Sequence, residues 1–154
     1  MATEIERKFL VTDDSWKVGS SRELYRQGYL SAEKGRTVRI RVMGAAAFLT
    51  IKGQTRGLSR AEYEYPIPVA DAMEMLECLC LKPLIEKYRY CIEHAGLVWE
   101  VDEFLAENQG LVLAEVELRE EGQSIVPPPW VGKEVSQDPR YYNANLVRHP
   151  YSKW

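Results

Sequence analysis

Alternation with a period of two runs through most of this chain, and it marks strands whose two faces meet different surroundings. Residues 4–10 open the series: Glu4, Glu6 and Lys8 share one face, while Ile5 and Phe9 lie on the other with Arg7 between them. Segment 22–32, which contains Tyr25, Gly28, Tyr29 and Leu30, reads as a second strand, and Glu33-Lys34-Gly35 as a turn. In 36–42, Val38, Ile40 and Val42 oppose Thr37, Arg39 and Arg41. Gly44 ends that strand, and 47–53 returns beside it as a hairpin, with Thr50 and Lys52 opposite Leu49 and Ile51. In 61–65, Glu62 and Glu64 share a face against Tyr63 and Tyr65, before Pro66 and Pro68 stop the strand. Three more strands follow later. Segment 85–93 puts Lys87 and Arg89 together, and 97–104 puts Glu100 and Asp102 together opposite Trp99 and Val101. Segment 111–119 puts Glu115 and Glu117 together opposite Val112, Ala114, Val116 and Leu118.

Helical spacing is rarer. Ala72, Met75, Leu76 and Leu79 recur on one stripe, with Asp71 and Glu74 early, and predict a helix over 69–81 that Lys82-Pro83 breaks. Its Met and Cys side chains read as core rather than ligands. Asp138-Pro139 offers a cap and a first-turn proline for a second helix over 140–147. Asp13-Asp14-Ser15 reads as a turn with Trp16 as an anchor, and Pro127-Pro128-Pro129 as a stiff connection.

Composition narrows the classes. A chain of 154 residues, 45% hydrophobic and 28% charged, is expected to be one globular domain spanning 1–154. A net charge of −3 argues against a nonspecific nucleic-acid binder. No apolar run reaches the roughly 18 residues a membrane span needs, and nothing at the start reads as a signal peptide. Cys78, Cys80 and Cys91 contain no Cys-x-x-Cys pair, which with the lack of a signal peptide points to the cytoplasm. Only His94 and His149 offer imidazoles, so a His/Cys zinc site is not expected, and any metal would be a hard ion held by carboxylates.

Set side by side, the charged faces are segregated by sign. Glu4/Glu6, Glu62/Glu64, Glu100/Asp102 and Glu115/Glu117 are acidic, while Lys8, Arg39/Arg41, Lys52 and Lys87/Arg89 are basic. Either a sandwich with its charges in water or a closed barrel with its charges inside produces this alternation. Same-sign neighbours repel, and a solvated surface normally mixes its charges, so the repeated pairs favour a lined interior. Cations suit phosphate oxygens, and carboxylates suit Mg²⁺ or Mn²⁺, which bridge such oxygens. There is no P-loop and no Ser-His-Asp or Cys-His arrangement, so the nucleophile would be water.

Glu4-Ile-Glu6-Arg-Lys8 resembles the Glu-x-Glu-x-Lys signature of the CYTH superfamily, the triphosphate tunnel metalloenzymes. The likeness extends through Arg39-Ile-Arg41, Thr50-Ile-Lys52-Gly, Glu62-Tyr-Glu64, Lys87-Tyr-Arg89, Trp99-Glu-Val-Asp102-Glu-Phe and Ala114-Glu115-Val-Glu117-Leu to Tyr142-Asn143. The resemblance implies a mainly β (α+β) fold: an eight-stranded antiparallel closed barrel with a charged lumen and a few flanking helices. It implies Mg²⁺- or Mn²⁺-dependent hydrolysis of triphosphates, foremost inorganic tripolyphosphate to pyrophosphate and phosphate. Adenylate cyclase of the class IV type, thiamine triphosphatase and a noncatalytic polyphosphate-binding module are the alternatives. Carried over, Glu4, Glu6, Glu62, Glu64, Asp102, Glu115 and Glu117 would face the metal, and Lys8, Arg39, Arg41, Lys52, Lys87 and Arg89 the phosphates. Glu4, Glu6, Lys8, Glu115 and Glu117 would be the catalytic group, and Glu100 shares the same face. The expected partner is a small-molecule triphosphate, with no nucleic acid or membrane, and a homodimer could form through uncovered apolar strand faces.

Overall fold

In the computed structural model, which describes residues 2–154, the chain forms nine strands and two α-helices. The strands are β1 (Thr3–Val11), β2 (Arg22–Glu33), β3 (Arg36–Met43), β4 (Ala46–Gly53), β5 (Ser59–Pro66), β6 (Ile85–His94), β7 (Leu97–Phe104), β8 (Val112–Glu117) and β9 (Val131–Glu134). The helices are α1 (Val69–Cys78) and α2 (Asn143–Arg148). Neighbours pair in the order β5-β4-β3-β2-β6-β7-β8-β1. The first stretch of β1 then pairs antiparallel with β5, Glu4 opposite Arg60, and closes an eight-stranded barrel. Closure takes up the edge of β5 on the first stretch of β1 and leaves the later stretch of β1 open to a further strand. Tight hairpins make the up-and-down path possible: Ala95 (φ 49°) and Gly96 (φ 79°) both adopt the left-handed conformation a two-residue β-turn of this type needs.

The alternation does not foretell β9, which is four residues long and follows the three prolines. It adds to β1 after β1 has parted from β5, with Phe9 opposite Glu134 and Val11 opposite Val131. Arg7 explains its own position among apolar neighbours here: its guanidinium donates to both oxygens of Glu134, at 2.6 and 3.0 Å.

Two helix expectations are corrected. α1 ends at Cys78 rather than Leu81, because the N–H groups of Leu79 and Cys80 both turn back to the Met75 carbonyl. Ala72 and Leu76 are buried on Ile40 and Ala47 as the stripe implies, but Leu79 is 64% exposed. Asp138 does cap a turn, accepting from the Arg140 N–H, but that turn is a single 3₁₀ turn, Pro139–Tyr141. Tyr142 is extended (φ −71°, ψ 131°) and α2 starts only after it. The Tyr142 hydroxyl donates to the Ser136 carbonyl, and its ring lies 5.7 Å from the Lys8 ammonium, contacts that fix this break in the helix.

Outside the barrel, α1 covers β3 and β4. Trp16, 3% exposed on a short 3₁₀ turn as its anchoring role requires, packs with Trp99, Trp130, Val101 and Val116 over β6, β7, β8 and β1. Ile51, Tyr63 and Tyr65 on the outer faces of β4 and β5 remain exposed. Inside, the staves change character along their length. Leu10, Ile85, Phe104 and Leu113 continue the faces that carry Lys8, Lys87, Asp102 and Glu115, and they cluster with Tyr141, Leu146 and Val147. The carboxy-terminal segment therefore seals one end of the barrel with apolar side chains, and the charges occupy the remainder.

Candidate active site

Pairing registers bring the charged faces together inside the barrel. Glu6 lies directly opposite Glu117 and Lys8 opposite Glu115 on the β1–β8 ladder, and Lys52 lies opposite Glu62 and Thr50 opposite Glu64 on β4–β5. Arg89 is opposite Asp102 on β6–β7. A cavity of about 540 Å³ results, lined by Glu4, Glu6, Lys8, Arg39, Arg41, Lys52, Glu62, Glu64, Lys87, Arg89, Glu100, Glu115 and Glu117. Twelve of the thirteen residues carried over by motif, and Glu100 with them, share this one enclosure. Asp102 stands behind it, fully buried.

Each cation has a specific restraint. Lys52 Nζ lies 2.8 Å from Glu4 and 3.2 Å from Glu62. Lys8 Nζ donates to the Tyr141 carbonyl at 3.2 Å and stands 3.4 Å from Glu115. Arg89 grips Asp102 through two parallel hydrogen bonds of 2.7 and 2.8 Å and also reaches Glu100 at 2.9 Å. Lys87 Nζ is 2.7 Å from Asp102 Oδ2, the oxygen that also accepts from Arg89 Nη2. Arg39 donates to Thr50 Oγ1 at 3.2 Å, Thr50 Oγ1 donates in turn to Glu64 at 2.9 Å, and Arg39 stands 3.7 Å from Glu64. Arg39 Nε is buried and has no hydrogen-bond partner among the described residues. A buried guanidinium donor left unmatched costs free energy, and an anionic oxygen in the cavity would satisfy it.

Electrostatics divides the acids into two kinds. Asp102 is an ionised counterion: burial works against its charge, but Arg89 and Lys87 hold it well below the carboxylate range. Burial, helped by the nearby Arg89 and Arg41 charges, outweighs the pull of Asp102 and brings Lys87 down to about 7. Glu115 is similarly held down, to about 2, against its burial, chiefly by Lys8. Glu4, also buried, is held low by Lys52, a hydrogen bond with Glu62, and Arg60. Its neighbours behave in the opposite way. Glu6 is pushed up to about 8 by burial and by the charges of Glu115 and Glu4. Glu62 rises to about 7 through its hydrogen bond to Glu4 and its burial. Glu117 is raised by burial and by Glu4 and Glu100.

Crowded acids of this kind fit a divalent cation. Among the described residues no three His, Cys or acidic side chains already stand gathered around one point. Magnesium-type sites seldom need such a cage, since one or two carboxylates with substrate phosphates and waters complete the shell. Glu4, Glu6 and Glu117, all oxygen donors on one wall of the cavity, could supply that partial set.

Some residues in and behind the cavity wall fall outside the charged pairs. On β2, Tyr25, Gln27 and Tyr29 form a neutral stave, Tyr25 lying under the guanidiniums of Arg41 and Arg89 at 4.9 Å each. Arg60, 3.5 Å from Glu4, shares the face of Glu62 and Glu64 and lies one residue before the strand expected over 61–65. Tyr142 and Asn143 arrive from the carboxy-terminal segment.

Comparison with known proteins agrees with this geometry. The CYTH domain matches residues 2–151. An inorganic triphosphatase of Acetivibrio thermocellus is 52% identical over 154 residues, which is all of this chain and 99% of that protein. An inorganic triphosphatase of Nitrosomonas europaea is 40% identical over 150 residues, 94% of this chain and 97% of that one. The crystal structure of an inorganic triphosphatase superposes with a TM-score of 0.66 at 37% identity, covering 96% of this chain and 95% of the other. With its closed barrel, its sign-segregated lumen and a match along nearly its whole length, the chain belongs to the CYTH family.

Proposed function

We propose that this protein is a divalent-metal-dependent triphosphatase that converts inorganic tripolyphosphate to pyrophosphate and phosphate. The observation that carries the reading is the enclosure of both charge sets in one cavity: cations from β1, β3, β4 and β6 face carboxylates from β1, β5 and β8. Two curated relatives that the chain matches end to end bear the same activity in their names.

In this reading Lys8, Arg39, Arg41, Lys52, Lys87 and Arg89 bind and align the phosphate chain, Arg39 Nε with its unused donor among them. Glu4, Glu6, Glu115 and Glu117, with Glu62 and Glu64 beside them, hold Mg²⁺ or Mn²⁺. The metal, when bound, neutralises phosphate charge and lowers the pKa of water. Asp102 serves as the counterion that fixes Lys87 and Arg89 rather than as a ligand, since its two oxygens are engaged by those cations. Water adds through oxygen to the terminal phosphorus, the bridging P–O bond breaks, pyrophosphate departs with the bonding pair, and the water proton is released. Alignment and electrostatic stabilisation supply most of the rate in such transfers.

The protein acts on a small molecule in the cytoplasm, without nucleic acid or membrane. No helix among the described residues is long and apolar enough to cross a bilayer. A homodimer would use the exposed apolar outer face around Ile51, Tyr63 and Tyr65, and light scattering would read it. The activity is tested with tripolyphosphate, ATP and thiamine triphosphate, each with Mg²⁺ or Mn²⁺. Tripolyphosphate should be turned over fastest, chelator should abolish turnover, and E117Q should lose it. Cyclic AMP from ATP would instead identify a cyclase, and saturable binding without turnover a noncatalytic module.

A further inference from the structure

Among the cavity cations Arg41 is set apart, because no carboxylate among the described residues approaches it within ion-pair distance, whereas Lys8, Arg39, Lys52, Lys87 and Arg89 each have one. What holds it is an amide. Gln27, fully buried and directly across the β2–β3 ladder, accepts from Arg41 Nε at 2.9 Å. Gln27 Nε2 donates to Asn143 Oδ1 at 3.0 Å, and the same oxygen accepts from Lys87 Nζ at 2.9 Å. The chain Arg41–Gln27–Asn143–Lys87 thus joins three strands of the barrel, β3, β2 and β6, to the first residue of α2. An uncharged acceptor can aim a guanidinium without neutralising it, whereas a carboxylate at the same position would do both.

We propose that Gln27 and Asn143 are positioning residues that keep Arg41 aimed into the cavity with its full charge available to a polyphosphate anion. The proposal rests on the phosphate-binding reading of the cavity, but it needs no turnover. Gln27 sets the direction of Arg41, and Asn143 fixes Gln27 while tying the ammonium of Lys87 to the same anchor. The seal at this end of the barrel and the grip on substrate are therefore parts of one hydrogen-bonded unit.

Two substitutions of similar size separate charge from packing. Q27E preserves an acceptor for Arg41 but cancels its charge, and gives up only the donation to Asn143 Oδ1, which still accepts from Lys87. Q27M leaves that charge unspent and removes the aim. Binding of tripolyphosphate to the full-length protein in chelator, measured by calorimetry, should weaken about tenfold or more in Q27E and only a few-fold in Q27M. With metal present, Q27E should raise KM more than it lowers kcat. A purely structural role gives the reverse order, because Q27E retains the buried hydrogen bond and Q27M does not, so Q27E binding as tightly as Q27M or the wild type overturns the proposal. Wild-type protein that binds tripolyphosphate but never hydrolyses it would defeat the triphosphatase reading and leave this order intact. Wild-type protein with no measurable affinity would overturn both.

Discussion

Glu6 offers a test of the acidic side of the cavity that does not require catalysis. Burial, Glu115 and Glu4 raise its carboxyl from the ordinary value near 4.5 to about 8, so in the metal-free fold it favours the protonated form. Below the unfolded value both states hold the proton and Glu6 contributes no pH dependence. As pH rises from there toward 8, the unfolded chain gives up its proton before the folded one does, and stability falls; above about 8 the loss is complete. At 1.36 kcal/mol per pH unit, the interval between 4.5 and about 8 sets an upper bound of about 5 kcal/mol. Glu6 is only half-buried, so solvent screening reduces this to about 2–3 kcal/mol. For a chain of this size that corresponds to roughly 5–10 °C in Tm. E6Q keeps the shape and removes the ionisation. Thermal melts in chelator should therefore nearly coincide for wild type and E6Q at about pH 5, and E6Q should melt higher by that margin at about pH 9. Saturating Mg²⁺ or Mn²⁺ should stabilise the wild type at the higher pH and do little for E6Q. Parallel wild-type and E6Q curves across this range would show that Glu6 is not held protonated by its neighbours, and the case for a crowded cation site would lose its physical basis.

Two other substitutions address the framework of the site. D102N leaves Arg89 and Lys87 buried without their shared full charge, and breaking a buried ion pair in this way should cost about 3 kcal/mol or more, read as an equilibrium shift in urea. An unchanged midpoint would mean that Asp102 is not the counterion that fixes the two cations. L146A removes a fully buried side chain from the apolar seal and should destabilise by about 2–5 kcal/mol, with metal affinity unaltered.

Much of the barrel is legible in the sequence because a strand that separates two environments must alternate, and here the buried polar face carries charges of known sign. Glu4, Glu62, Lys87 and Glu115 declare their faces by spacing alone. The stave of Tyr25, Gln27 and Tyr29 faces Leu24, Arg26, Gly28 and Leu30 across its strand, and with no charged pair on the inner side neither face declares itself. Asp102 has the same spacing as Glu115, and only depth and partners separate them: it is fully buried between two cations and outside the cavity wall. β9 is short and follows three prolines, so its existence depends on an edge of β1 that closure creates and on the Arg7–Glu134 pair. The split of the second helix is tertiary in origin as well, since Tyr142 leaves the helical path to reach Ser136 and Lys8, whose proximity no local pattern encodes.

The central claim is that one cavity binds a metal-chelated triphosphate and directs water to its terminal phosphorus. Phosphorus NMR of tripolyphosphate incubated with the protein and Mg²⁺ or Mn²⁺ tests it most directly. Pyrophosphate and phosphate should appear in equal molar amounts as tripolyphosphate disappears, with no conversion once the metal is chelated. Persistence of the tripolyphosphate signals with either metal, or hydrolysis that continues unchanged in chelator, would contradict it.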